Sequence, residues 1–328
     1  MGPYLEQAAG RLTRSGTGRL APHLEECYGI AVCGVTELDL GVYRVDRRDG
    51  PAWVARLFPP ARPVPAAAGD AAILAYVAGH DFPAERCAAA EPVSVLDGQG
   101  LLVTEHVGGV PREQRRAAIR DHGGLHRLGE LLGRLHSLPA GPGAPARDGG
   151  GWHHLTDGGP QDEVAAARGL LADAAGLAPA GQRSLYDALR ADLDALDAGQ
   201  DLPRALIHPD FVLANVIASP ERGLVLVDWT GAGSGPRLWP LAFLLFAEGA
   251  RHPRRAELVA AGYRRHVRPE PEELSRLVPM MSARAVVLNV WSFCLGRKSL
   301  AEAAAAASAA REVAQAAGPR ARAALAGT

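Results

Sequence analysis

Lysine is all but missing from this 328-residue chain: Lys298 is the single example among 35 basic residues. Arginine takes its place, in a composition rich in Ala, Gly and Pro, as a GC-biased coding sequence would produce wherever charge alone is needed. Asparagine is almost as scarce, with Asn215 and Asn289 the only two. The four cysteines (Cys27, Cys33, Cys87, Cys294) are scattered, with no CxxC pair. That excludes a disulfide scaffold and a cysteine zinc site, and fits reduced thiols in the cytoplasm. A net charge of -1 excludes a global attraction to nucleic acid or an anionic membrane. The first residues, MGPYLEQAAGRLTRSG, lack a basic start followed by an apolar run, and no stretch reads as a membrane span. The expectation is a soluble, cytoplasmic protein with neither a nucleic-acid nor a membrane partner. No GxxxxGK[ST] occurs, so a P-loop enzyme is excluded, and there is no internal repeat.

What is present changes period along the chain. Leu5, Ala8, Ala9 and Leu12 have helical spacing near the N-terminus. The runs 30–38, 41–45 and 53–58 then read as strands, with Arg47-Arg-Asp-Gly50 as a hairpin turn. Residues 70–77 carry helical spacing, and 91–96 and 101–107 read as two further strands split by Asp97-Gly-Gln-Gly100. From there the helical period dominates, beginning with the stripe Leu125, Leu128, Leu131, Leu132 and Leu135. Helices are expected near 161–174 and 181–196, a β island over 206–217 and 224–228, and helix throughout the last ~90 residues. The fold class is α+β, in two lobes: a small β-rich lobe over 1–107 and a larger, mainly helical lobe over 108–328.

The β island carries the chemistry. Leu206-Ile-His-Pro-Asp-Phe-Val-Leu-Ala-Asn-Val-Ile217 contains His-x-Asp followed by four residues and then one of the two asparagines. Leu224-Val-Leu-Val-Asp-Trp229 ends a buried strand on a carboxylate. Phosphoryl transfer needs few protein groups, strictly placed. One carboxylate orients the attacking hydroxyl, and an amide oxygen and a second carboxylate hold Mg²⁺ on the nucleotide phosphates. Asp210, Asn215 and Asp228 have those side chains at that spacing. His208, which precedes a proline, reads as a brace for the loop.

These segments resemble the aminoglycoside phosphotransferase/choline kinase-like group, which shares its fold with protein kinases. Leu128-Gly-Glu-Leu-Leu-Gly-Arg-Leu-His-Ser-Leu-Pro139 is similar to the helix preceding the catalytic loop in that group. The resemblance implies a two-lobed protein-kinase-like fold and an ATP-dependent small-molecule kinase, GTP not excluded. It makes Asp210 the base, and Asn215 and Asp228 the Mg²⁺ ligands. The acceptor would be a small hydroxylated molecule, an antibiotic or a metabolite, so antibiotic resistance is one expected role. The nucleotide would lie along the strand-to-linker junction Thr104-Glu105-His106-Val107, with Glu105 and Val107 at the adenine.

Three features depart from the group. The lysine that grips the phosphates falls on Arg56, and its glutamate partner falls on Asp70; a longer cation and a shorter acid leave a bridge of similar reach. The nucleotide-covering loop keeps only Gly34 and Gly41. Pro240 stands where an aspartate often braces the catalytic loop. From Gly249 to Thr328 there are 13 basic and 6 acidic residues, with Arg251, Arg254, Arg255, Arg264, Arg265 and Arg268 clustered. That excess suits a neutral or anionic acceptor better than a polycation. Two other readings compete: a catalytically weak nucleotide-binding or regulatory module, and a nucleic-acid or lipid-surface binder. The lack of lysine and of interleaved aromatics speaks against the second.

Overall fold

The computed structural model describes residues 17–109, 122–140, 146–151 and 158–327, with 119 and 144 between them. The helix expected around Leu5 to Leu12 lies outside the described residues.

The small lobe is one antiparallel sheet flanked by two helices. Strands β1 (Val32–Asp39), β2 (Val42–Arg47), β3 (Trp53–Leu57), β4 (Val93–Leu96) and β5 (Gln99–Glu105) pair in the order β1-β2-β3-β5-β4. Alternation along the strands sends side chains to two faces. Trp53 and Ala55 of β3, with Leu101 and Val103 of β5, pack under Leu20 and Leu24 of helix α1 (Thr17–Tyr28). Leu102 faces the other way, against Ala67, Ala71 and Leu74 of helix α2 (Val64–Gly79), and joins the main core. Arg56 lies in register with Leu102, so the sheet's alternation places its Cβ on the α2 side. The chain then leaves the sheet past Gly108 and Gly109. A Cβ at Gly109 would meet Ile217 and stand 2.9 Å from the carbonyl of Ala218, so only glycine passes here.

The large lobe is built on helices α3 (His122–His136), α4 (Pro160–Asp173), α5 (Arg183–Asp194), α6 (Leu238–Gly249), α7 (Pro253–Arg264), α8 (Pro271–Cys294) and α9 (Leu300–Ala326). The leucine stripe of α3 is buried, with Leu125, Leu128, Leu132 and Leu135 at 1% exposure or less. Backbones of α3 and α7 approach closely, because a Cβ at Gly129 would overlap Val259 and one at Gly262 would overlap His126. Helix α8 corrects the expectation that no span-length apolar segment exists. Its 24 residues are long and apolar enough to cross a membrane, yet 67% of its most apolar window is buried inside the protein.

Two short two-stranded antiparallel sheets sit within this helical lobe. Strand β7 (Val216–Ser219) pairs with β8 (Gly223–Leu226), and β6 (Arg204–Ile207) pairs with β9 (Gly233–Pro236). The expected strand 206–217 is therefore broken: β6 stops at Ile207, a loop and a short 3₁₀ turn (Leu213–Asn215) intervene, and β7 resumes at Val216.

Candidate active site

The loop between β6 and β7 and the residue two beyond β8 bring the chemistry together. Phe211 is buried, anchoring the loop to the core. Asp210 and Asn215 are joined through the asparagine amide, whose Nδ2 donates to the Asp210 carboxylate Oδ2 and to its carbonyl, each at 2.9 Å. With Nδ2 committed, the Oδ1 of Asn215 is the atom left to ligate a cation. The carbonyl of Asn215 accepts from Val227 N at 2.9 Å, which ties the loop to the segment carrying Asp228.

His208 has no exposed surface, and burial pushes its imidazole down to about 4. Its Nδ1 accepts from Asp210 N at 3.1 Å, so the proton sits on Nε2, which donates to Val227 O at 3.2 Å. Trp229 and Phe211 stand edge-on to the ring at 5.2 and 6.3 Å. With both nitrogens spent on backbone, the imidazole has none left for proton transfer.

Asp228 occupies a left-handed backbone conformation, φ 69°, that costs a non-glycine residue roughly 1–2 kcal/mol. The side chain that holds it there is Glu85. The segment 83–85 runs beside β8: Leu226 N donates to Pro83 O and Glu85 N to Leu226 O. This leaves Glu85, 8% exposed, with Oε1 accepting from Asp228 N at 2.7 Å and Oε2 from Thr104 Oγ1 at 3.1 Å. Burial pushes the Glu85 carboxyl up, against the pull of Arg56. The sequence motifs do not single out Glu85; an acid directly after the apolar run Phe82-Pro-Ala84 is the signal that marks it.

Arg56 does not bridge Asp70. Its Nη2 stands 3.0 Å from Asp228 Oδ1, and Glu85 is the next strongest charge acting on it. Asp70 is fully buried elsewhere, bound by Arg62 at 2.7 Å and by Arg147, and its Oδ1 also accepts from Gly231 N at 3.2 Å. Arg147 donates in turn to Ala232 O at 2.8 Å and Ala66 O at 3.0 Å. The expected pairing fails because two arginines already surround the shorter acid, while Glu85 supplies the buried carboxylate beside Arg56. Asp70 thus joins α2 to the chain just beyond Asp228.

Gly41, in the covering loop, takes φ 70° with its carbonyl accepting from Leu57 N at 2.8 Å, and a Cβ there would lie 2.7 Å from Leu57 O. Around it Leu38 and Leu40 are half-exposed. At the junction, Glu105 closes β5 opposite Trp53, exposed. Val107 is buried against Ile217 and Val225, an apolar platform on the β7–β8 hairpin. Pro240 sits in the first turn of α6, where its missing N–H costs nothing, and it offers no polar brace. A brace comes instead from α8: Arg284 Nη1 donates to Pro209 O, and Nη2 lies 3.4 Å from Asp210 Oδ1. Of the clustered arginines, Arg255 binds the buried Glu248 at 2.9 Å, Arg265 stands 3.1 Å from Glu130 and Arg264 donates to Ala326 O. Much of the basic excess therefore clamps helices together.

The donor set fits a magnesium ion. Asn215 Oδ1 and the Asp228 carboxylate are hard oxygen donors, and Mg²⁺ takes one or two such protein ligands beside phosphate and water. Among the described residues, no cluster of three His, Cys, Asp or Glu could hold a metal by itself.

The fold has solved counterparts. Choline kinase LicA from Streptococcus pneumoniae superposes with a TM-score of 0.59 at 13% identity, over 89% of this chain and 96% of that one. Macrolide 2'-phosphotransferase MphH from Brachybacterium faecium gives 0.52 at 22% identity, over 87% and 96%. Spectinomycin phosphotransferase APH(9)-Ia, solved with ADP and spectinomycin, gives 0.57 at 14%, over 92% and 98%. A search of the curated proteins finds no match. Residues 38–276, which take in strands β2 to β9, the loop with Asp210 and Asn215, and Asp228, match the phosphotransferase enzyme family, and the chain belongs to that family.

Proposed function

We propose that the chain transfers the γ-phosphoryl group of ATP to a hydroxyl of a small molecule, with Asp210 as the base. The observation that carries this reading is the loop itself. Asp210 and Asn215 share a hydrogen bond, and Asn215 is tied by its carbonyl to the strand that presents Asp228. In this arrangement Asp210 accepts the proton of the attacking hydroxyl and aims its oxygen at phosphorus. Asn215 Oδ1 and Asp228 are the ligands for Mg²⁺, whose charge, when bound, neutralises the transferring phosphoryl oxygens. Arg56, on the strand facing the cleft, is the cation available for the phosphates, with a forked geometry suited to two oxygens. Val107 and Ile217, backed by the buried Val225, supply an apolar surface for a base, beside Glu105. GTP would meet the same surface.

One observation favours a second reading, a weak or regulatory nucleotide-binding module: Arg56 stands on the carboxylate that the metal needs. Turnover separates the two. MgATP consumption would be followed with choline, spectinomycin and a macrolide as acceptors. The kinase reading expects transfer to an acceptor, with Asp210→Asn lowering kcat by about 100-fold or more while nucleotide still binds. An Asp210→Asn protein as active as the parent would remove Asp210 from the role of base. Nucleotide binding without transfer to any acceptor would leave only the module.

A further inference from the structure

A charge inside an apolar helix needs partners. Arg284 stands in Ser282-Ala-Arg-Ala-Val-Val287 of α8 and is 2% exposed. Taking a guanidinium that far from water costs several kcal/mol unless its surroundings return it. Its surroundings are specific. Nη1 donates to Pro209 O, Nη2 lies 3.4 Å from Asp210 Oδ1, and the guanidinium carbon lies 4.6 Å from the Phe243 ring centroid. Glu163 of α4, also fully buried, places Oε1 3.9 Å from Nε and balances the charge. The fork therefore touches two consecutive residues of one loop, at the carbonyl of one and the carboxylate of the next. A lysine ammonium is a point donor and cannot span both in this way.

We infer that Arg284, backed by Glu163, is the positioning residue for Asp210: it fixes the direction of the carboxylate that receives the acceptor proton. The inference rests on the phosphotransferase reading of the site. Asp210 then has a partner on each oxygen, the Arg284 guanidinium as an ion pair 3.4 Å from Oδ1 and the Asn215 amide donating to Oδ2. Each oxygen keeps a lone pair for the incoming hydroxyl. Because the hold comes from α8, and not from a neighbour in the loop, the direction of the base depends on the seating of the large-lobe helices.

The test compares the wild-type chain with R284K and with the double variant E163Q/R284M, in which neither charge is left buried alone. Probes are MgATP with choline or spectinomycin, with water as the background acceptor, and AMP-PNP for binding. The expected result for E163Q/R284M is a folded protein that binds AMP-PNP within about twofold of wild type while kcat falls about 100-fold, the scale of a misplaced reacting group. R284K, keeping the charge without the fork, recovers part of that kcat and leaves the KM for ATP unchanged. It reads the same split if the double variant does not fold. A kcat within about threefold of wild type in either variant overturns the inference. So does a loss shared equally between AMP-PNP binding and kcat, which is what mere core packing predicts. Failure of the underlying reading looks different: the wild-type chain itself would transfer phosphate to nothing, water included.

Discussion

Arg56 reaches Asp228 and leaves Asp70 alone because of where the carboxylates lie and how many cations each already has. Asp70 has no exposed surface and two arginines, so it has no need of a third. Glu85 is the acid that matters beside Arg56, and it does two things at once. It adds negative charge next to the guanidinium, and it takes the N–H of Asp228, whose backbone is left-handed. Replacing Glu85 with alanine strands that N–H and the Thr104 hydroxyl in a buried place. The expected loss is about 1–3 kcal/mol of stability, read as a lower urea midpoint with an unchanged m-value. An unchanged midpoint would mean that Asp228 holds its conformation without help.

Among the elements, legibility followed side-chain chemistry. Strands β1 to β5 and the stripe of α3 declare themselves by period, and the structure has them within a few residues of the expected bounds. Strand β9, Gly-Ser-Gly-Pro, declares nothing, since it has no branched or aromatic side chain. It is held by pairing with β6, and its glycines are required because the backbone is crowded: a Cβ at Gly233 would lie 2.7 Å from Arg147 O, and one at Gly235 would lie 2.9 Å from Gly149 O. The site divides the same way. Asp210, Asn215 and Asp228 are readable because they lie within one short stretch with fixed offsets. Glu85, Arg62, Arg147 and Arg284 come from four separate places in the chain, and only the fold brings them to Asp228, Asp70 and Asp210. The glycine crossing of α3 and α7 is a packing feature of this kind, and Gly262→Val tests it. Its side chain would displace the His126 turn, so a melting temperature several degrees lower is expected, of the order produced by 1–3 kcal/mol of overpacking. A variant that melts with the parent would show the helices free to move apart.

Over the whole molecule, stability and acidity are linked through two buried imidazoles. Burial pushes His208 down to about 4 and His136, bonded to Tyr263 Oη at 2.9 Å, down to about 3. Unfolded, each would titrate near 6.5. Between 6.5 and about 4 the unfolded chain binds two protons that the folded chain refuses, so stability falls as pH drops through that window. These two groups contribute a slope of about 1.4 kcal/mol per pH unit each. Urea midpoints from pH 7.5 to 4.5 would show it, and flat midpoints would contradict the burial of both rings. The lobes are linked as well, for Asp70 fastens α2 through Gly231 and Arg147 to the chain beyond Asp228. The exchange of lysine for arginine has a last effect, on how such a protein can be found. Nucleotides carrying an acyl phosphate, a mixed anhydride, mark their hosts by transferring the acyl group to a side-chain amine at the phosphate end, with the nucleotide as leaving group. Here β3 presents a guanidinium, and the one side-chain amine in the chain, Lys298, is engaged with Asn289 at 2.7 Å beyond the end of α8. If the chain uses ATP as proposed, a chemical census of ATP sites built on acylated lysines would leave it uncounted.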